Sequence, residues 1–147
     1  MVYTIIGGIF MRLWHIDLIP ALPKGQLLSQ WRELNSIFAK ENRHILINYV
    51  YDYPKEDLYL YTKTVMEEMA HRGYSIRTFE KMNNYFDGIV VAKPYKPFAR
   101  HHDFEYLEIC YFNLKEKFMR GQKDYDETLF NVLHLLYIEP TSKNNKN

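Results

Sequence analysis

Leu22-Pro-Lys-Gly-Gln-Leu-Leu-Ser-Gln-Trp-Arg-Glu-Leu-Asn-Ser-Ile-Phe38 is the stretch whose reading decides the fold. Leu27, Leu28, Trp31, Leu34, Ile37 and Phe38 recur at helical spacing, so they make one apolar stripe. Gln26, Gln30 and Glu33 fall together on another face, with Arg32 beside them. Pro23 fits the first turn of a helix, where its missing N–H costs nothing. The stretch therefore reads as an amphipathic helix that buries one side and shows a polar row containing a carboxylate. Periodicity alone leaves two readings of that row, a solvated surface or a functional face.

Toward the amino terminus, Arg12 to Leu22 reads as an extended arm, with Trp14, Ile16 and Leu18 alternating against His15 and Asp17. Pro20 and Pro23 stop any helix between them. An arm that runs straight into the first helix brings its beginning near that helix's polar face. Residues 1–10, MVYTIIGGIF, lack the basic start and small-residue cleavage site of a secretory signal. Gly7-Gly8 can be encoded by GGAGGN, a ribosome-binding sequence, placed just before the Met11 codon. The expectation is that Met11 is the true start and that residues 1–10 are a leader; the other reading is an apolar extension that packs as a short strand.

Toward the carboxyl terminus, Ile45 to Tyr53 is rich in β-branched and aromatic residues and suggests a short extended segment. A second helix is expected from Lys55 to Arg72, with Leu58, Tyr61, Val65, Met66 and Met69 inward and Gly73 as its stop. Thr78 to Asp87 suggests a short helix, and Gly88 to Pro97 a connector broken by two prolines. A third principal helix is expected from Asp103 to Arg120, with Phe104, Leu107, Tyr111, Leu114 and Phe118 inward and Gly121 ending it. Asp124-x-x-Glu127 resembles a capping box opening a terminal helix, with Pro140 closing the folded part. The expected architecture is all-α: one compact domain, residues 11–139, of three principal helices and a C-terminal one, with an extended arm on the first helix. Residues 140–147 are polar and read as a disordered tail.

The 147 residues suffice for one domain with a real core, and the thirteen tyrosines and 16% aromatic content exclude a disordered chain. The net charge of +1 does not announce a nucleic-acid partner, so any DNA footprint must come from local clustering. The single cysteine, Cys110, excludes an intrachain disulfide and fits a reducing, cytoplasmic setting. No apolar run approaches the roughly 20 residues that span a bilayer, so no membrane partner is expected.

Met11-Arg-Leu-Trp-His-Ile-Asp-Leu-Ile-Pro20 followed by Gln26-Leu-Leu-Ser-Gln-Trp-Arg-Glu-Leu34 resembles the amino-terminal part of the pyrimidine-dimer DNA glycosylases, the small phage-type endonuclease V enzymes. The resemblance is closest to a bacterial and phage subgroup whose members begin MRLWH. Met66-Glu-Glu-Met-Ala-His-Arg-Gly-Tyr74 and Leu107-Glu-Ile-Cys-Tyr-Phe-Asn-Leu-Lys-Glu-Lys117 continue it in order. The resemblance implies attack by a terminal α-amine on the sugar C1′ of a damaged nucleotide, an imine intermediate, and strand cutting by β-elimination. An α-amine suits this, because its ordinary pKa of about 7.7–8.0 leaves an uncharged fraction near neutrality. Glu33 matches the family's helix glutamate, and Arg32 the arginine that clamps the DNA backbone. Arg12 stands where the characterised type has a small residue after the initiator methionine, and Leu13 and Ser36 stand where the family has arginines. A glycosylase using water activated by Glu33 would survive these departures.

The implied function is repair of pyrimidine-dimer or abasic sites in double-stranded DNA by a monomer without cofactor or metal. The candidate catalytic residues are Glu33, Met11, Arg12 and His15. The candidate DNA-binding residues are Arg32, Gln26, Gln30, Lys115, Lys117 and Arg120, with Lys93, Lys96, Arg100 and Lys123 as further cations. His15 reads either as a proton relay projecting from the arm or as a satisfied structural residue. His101, His102, Asp103 and Glu105 invite a metal reading, but no ligand motif supports it. Two other functions remain open: a non-catalytic DNA-binding module, and a helical intracellular protein with another kind of partner.

Overall fold

The computed structural model describes residues 12–145, with side chains described for residues 12–141. Met11 and residues 1–10 lie outside the described residues. The fold is all-α, as expected: α1 Lys24–Ala39, α2 Lys55–His71, α3 Glu80–Tyr85, α4 Phe104–Met119 and α5 Glu127–Asn145. Two 3-10 helices, Ile16–Ala21 and Asn48–Asp52, complete the order among the described residues. Among the described residues no strand is formed.

Local sequence accounts for the helix ends. Pro54 precedes α2, and Pro23 sits at the N-cap of α1 rather than inside its first turn. Gly73 and Gly121 take φ of 82° and 85°, a region a side chain disfavours. Each closes a Schellman motif: Tyr74 N–H reaches the Met69 carbonyl at 2.9 Å, and Gln122 N–H the Lys117 carbonyl at 3.0 Å. Asp103 caps α4 by accepting from Tyr106 N–H at 2.9 Å.

The core forms where the first 3-10 helix meets α2, α4 and α5, while α1 lies on α2 and α3. Leu18, Ile19, Leu22, Leu34, Tyr61 and Leu114 are among its fully buried side chains. This hub replaces the expected strand-like arm. The chain is extended only to about His15 and then coils, so Leu13 and His15 turn inward while Asp17 is exposed. Ile45 to Tyr53 is not extended either. Asn48 closes a turn there by accepting from His44 N–H at 2.7 Å, and among the described residues there is no neighbouring strand for the β-branched run to pair with.

The terminal helix is capped by Asp126, whose carboxylate accepts from Leu129 N–H at 2.8 Å, not by Asp124. Asp124 crosses to α1 and accepts from Gly25 N–H at 2.7 Å. Pro140 does not end α5, which continues to Asn145, so part of the expected tail is helical. Thr141 Oγ1 donates to the Tyr137 carbonyl at 2.7 Å, holding the turn around the proline. No helix among the described residues is long and apolar enough to cross a membrane.

Candidate active site

An extended segment without a neighbouring strand must satisfy its backbone polar groups some other way. Here buried side chains do it. Gln30 Oε1 accepts from Trp14 N–H at 2.8 Å, and Gln30 Nε2 donates to the Arg12 carbonyl at 2.9 Å. The glutamine amide thereby takes the place of a peptide group in a ladder. Tyr106 donates to the Leu13 carbonyl and Tyr61 to the Trp14 carbonyl, both at 2.6 Å. Ile16 N–H donates to His102 Nδ1 at 3.0 Å.

Glu33 lies at the start of this arm. Its Oε2 accepts a long hydrogen bond from Arg12 N–H at 3.4 Å and a shorter one from Gln30 Nε2 at 3.1 Å. Glu33 is 9% exposed and Gln30 is buried, so at these two positions the polar row is not a solvated surface. Burial raises the Glu33 carboxyl to about 7; the Arg12 N–H, the Arg32 and Arg12 charges and the Gln30 amide oppose that rise without cancelling it. A carboxyl with that value accepts and returns a proton near neutrality, which suits general acid–base work. Arg12 reaches away from it along α4, with its guanidinium 3.9 Å from Cys110 Sγ and over the Trp14 and Tyr106 rings.

The remaining candidates divide. Arg32 is exposed next to Glu33 and donates to Ser29 Oγ at 2.9 Å. Gln26 accepts from Gln122 Nε2 at 2.7 Å, which ties the loop after α4 to the first turn of α1. Gln30, expected on a DNA-facing surface, is 1% exposed and cannot touch a duplex. Lys115 and Lys117 do not form one track, because positions two apart on a helix point in nearly opposite directions. Lys115 lies over the Phe112 ring at 5.9 Å on the α5 side. Lys117 is half-buried, two turns along α4 from Cys110. Arg120 pairs with Glu116 at 3.0 Å on the surface.

His15 does not project from the arm. It is 1% exposed, and its Nδ1 accepts from Asp17 N–H at 3.1 Å to cap the first 3-10 helix. Desolvation lowers its pKa, so it is held neutral in the core and is a poor phosphate contact. His102 is neutral as well, lowered to about 3 chiefly by burial. With Nδ1 accepting from Ile16, its Nε2–H donates to Tyr49 Oη at 2.7 Å. His101 stacks on Tyr49, with ring centroids 4.6 Å apart. These engagements leave no cluster able to hold a metal among the described residues.

Periodicity places Tyr61 inward and His102 sits in the candidate ligand set, but no short-range pattern marks Tyr61 of α2, Tyr106 of α4 and His102 of the turn before α4 as the three residues that pin the arm. Their partners lie 47, 93 and 86 positions away in sequence.

Residues 11–82 match the family model described as pyrimidine dimer DNA glycosylase. The match takes in the arm, α1, α2 and the start of α3, and so includes Glu33, Arg32, Gln30 and Tyr61. No curated protein and no solved structure matches the chain.

Proposed function

From the match of residues 11–82 to the family model described as pyrimidine dimer DNA glycosylase, we infer that this chain is a DNA repair glycosylase whose reaction centre is Glu33 with the start of the arm. The observation that carries the reading is the 3.4 Å contact between the Arg12 backbone nitrogen and Glu33 Oε2. If the chain begins at Met11, its terminal amine is one residue from that contact and within reach of a sugar held against Glu33.

In the imine route the amine nitrogen bonds to C1′, the C1′–N bond to the damaged base breaks, and the base leaves protonated. Loss of the amine proton and opening of the sugar give the imine, from which β-elimination cuts the strand. Glu33, ionised, offsets the developing charge on the sugar and carries the protons. Arg32, exposed one position away, clamps a backbone phosphate.

A second route is supported by Arg12 itself. It occupies the position where the family's characterised type has a small residue, and methionine before arginine is not normally removed. Water activated by Glu33 then replaces the amine and releases the base without an imine. In a chain retaining residues 1–10 no terminal amine need be near Glu33, and the water route does not require one.

Borohydride trapping on duplexes containing an abasic site separates the routes, with intact mass fixing the mature terminus. The expected result is a mass beginning at Met11 and a covalent adduct abolished by blocking the amine. Base release from a dimer-containing duplex, read after photoreversal, without an adduct on the abasic one supports the water route. Salt-sensitive duplex binding with neither product contradicts the enzyme and leaves a DNA-binding module.

A further inference from the structure

The Gln30 side chain is saturated. Its two amide hydrogens go to the Arg12 carbonyl and Glu33 Oε2, at 2.9 and 3.1 Å. Its oxygen accepts from Trp14 N–H at 2.8 Å and lies 2.9 Å from the Tyr61 hydroxyl. Rotating the amide by half a turn would set oxygen against the Arg12 carbonyl and the Glu33 carboxylate, so its orientation is fixed by four partners. With the side chain 1% exposed, water cannot replace any of them. One residue thus holds both halves of the site: it registers the arm backbone at Arg12 and Trp14, and it grips the carboxyl oxygen that Arg12 N–H also touches.

We propose that Gln30 is a positioning residue that sets both the placement of the arm's start and the protonation of Glu33, without itself touching DNA. This rests on the reading of Glu33 and the arm as the reaction centre. A donated N–H favours the ionised carboxylate, so removing it drives Glu33 further toward the neutral acid. The other charged and titratable groups facing Glu33 are Arg12 from the arm, Arg32 from α1 and Tyr61 from α2. The Tyr61 hydroxyl is raised well above its usual range by burial and stays neutral throughout.

The test is Gln30→Met, similar in length but without hydrogen-bonding groups. Base release is followed against pH, duplex affinity is measured alongside, and Glu33 is titrated directly by carbon-13 NMR of its carboxyl. The expected result is an acid limb, and a Glu33 midpoint, displaced upward by about one pH unit, with duplex Kd within about threefold of the parent, as befits a buried residue. An unmoved limb and midpoint would overturn the proposal, as would a loss of activity matched by loss of duplex binding. If the parent releases no base, the enzyme reading fails, and the NMR midpoint alone still decides the role of Gln30. Should the variant not fold, the parent protein supplies the measurement. The Gln30 side-chain amide resonances should titrate with the Glu33 midpoint, near 7; amide resonances indifferent to it would overturn the proposal.

Discussion

Glu33 is held at a cost that depends on pH. Its folded-state value, raised to about 7 by burial, lies above the 4.5 of an unhindered glutamate. The folded protein therefore binds a proton that the unfolded chain releases between those values. The penalty is absent below about 4.5, grows as pH rises, and is complete above about 7. A shift of that size corresponds to at most about 3 kcal/mol. Glu33→Gln keeps an oxygen to accept from Arg12 N–H and Gln30, and removes the ionisation. Denaturant unfolding should show Glu33→Gln matching the parent near pH 4 and exceeding it by about 1–3 kcal/mol at pH 8. Equal stability of the two at pH 8 would mean that the carboxyl is solvated. A functional group kept where it destabilises the fold is what a reaction centre at this position requires.

The elements meet through a few side-chain contacts made across long sequence gaps. Asp124, in the loop after α4, caps α1 by accepting from Gly25 N–H at 2.7 Å, and a Cβ on Gly25 would come within 3.1 Å of that carboxylate. Beside it, Gln122 Nε2 reaches both Gln26 and Asp124. Asp124→Ala should cost about 1 kcal/mol in chemical denaturation, as loss of an N-cap does. It should leave the Glu33 titration unchanged, because the cap lies at the opposite end of the Gln26–Glu33 row; a shifted Glu33 midpoint would show that α1 moves as a whole. The helices were readable from sequence because their signals are local: the 3.6-residue stripe from Leu27 to Phe38, and the glycines after α2 and α4. The Asp124 cap and the arm's coiling were not. Asp124-x-x-Glu127 satisfies a local pattern, yet the aspartate is used 99 positions away. Alternation from Trp14 to Leu18 satisfies another, yet among the described residues no strand lies alongside to reward it.

At the scale of the whole molecule, the reading depends on where a near-neutral chain can meet a polyanion. With a net charge of +1, affinity must come from placement. Arg32 is exposed beside Glu33, and Lys117 is half-buried two turns along α4 from Cys110, whereas Lys115 lies over the Phe112 ring and Arg120 is paired with Glu116. The family resemblance points to Glu33 and Arg32 as site residues, and residues 11–82 match that family's model. Gln30 was assigned to DNA because it shares a helical face with Glu33. Burial of that face comes from the arm and from Tyr61, which no pattern within α1 could reveal.

The most direct test of the account compares Glu33→Gln with the parent on one duplex carrying a cyclobutane pyrimidine dimer, measuring base release after photoreversal of the dimer, which otherwise tethers the cut base to its neighbour, and binding in the same preparation. The account predicts that release falls by at least about a hundredfold while the duplex is bound as tightly as before or tighter. Release at the parental rate by Glu33→Gln would contradict it.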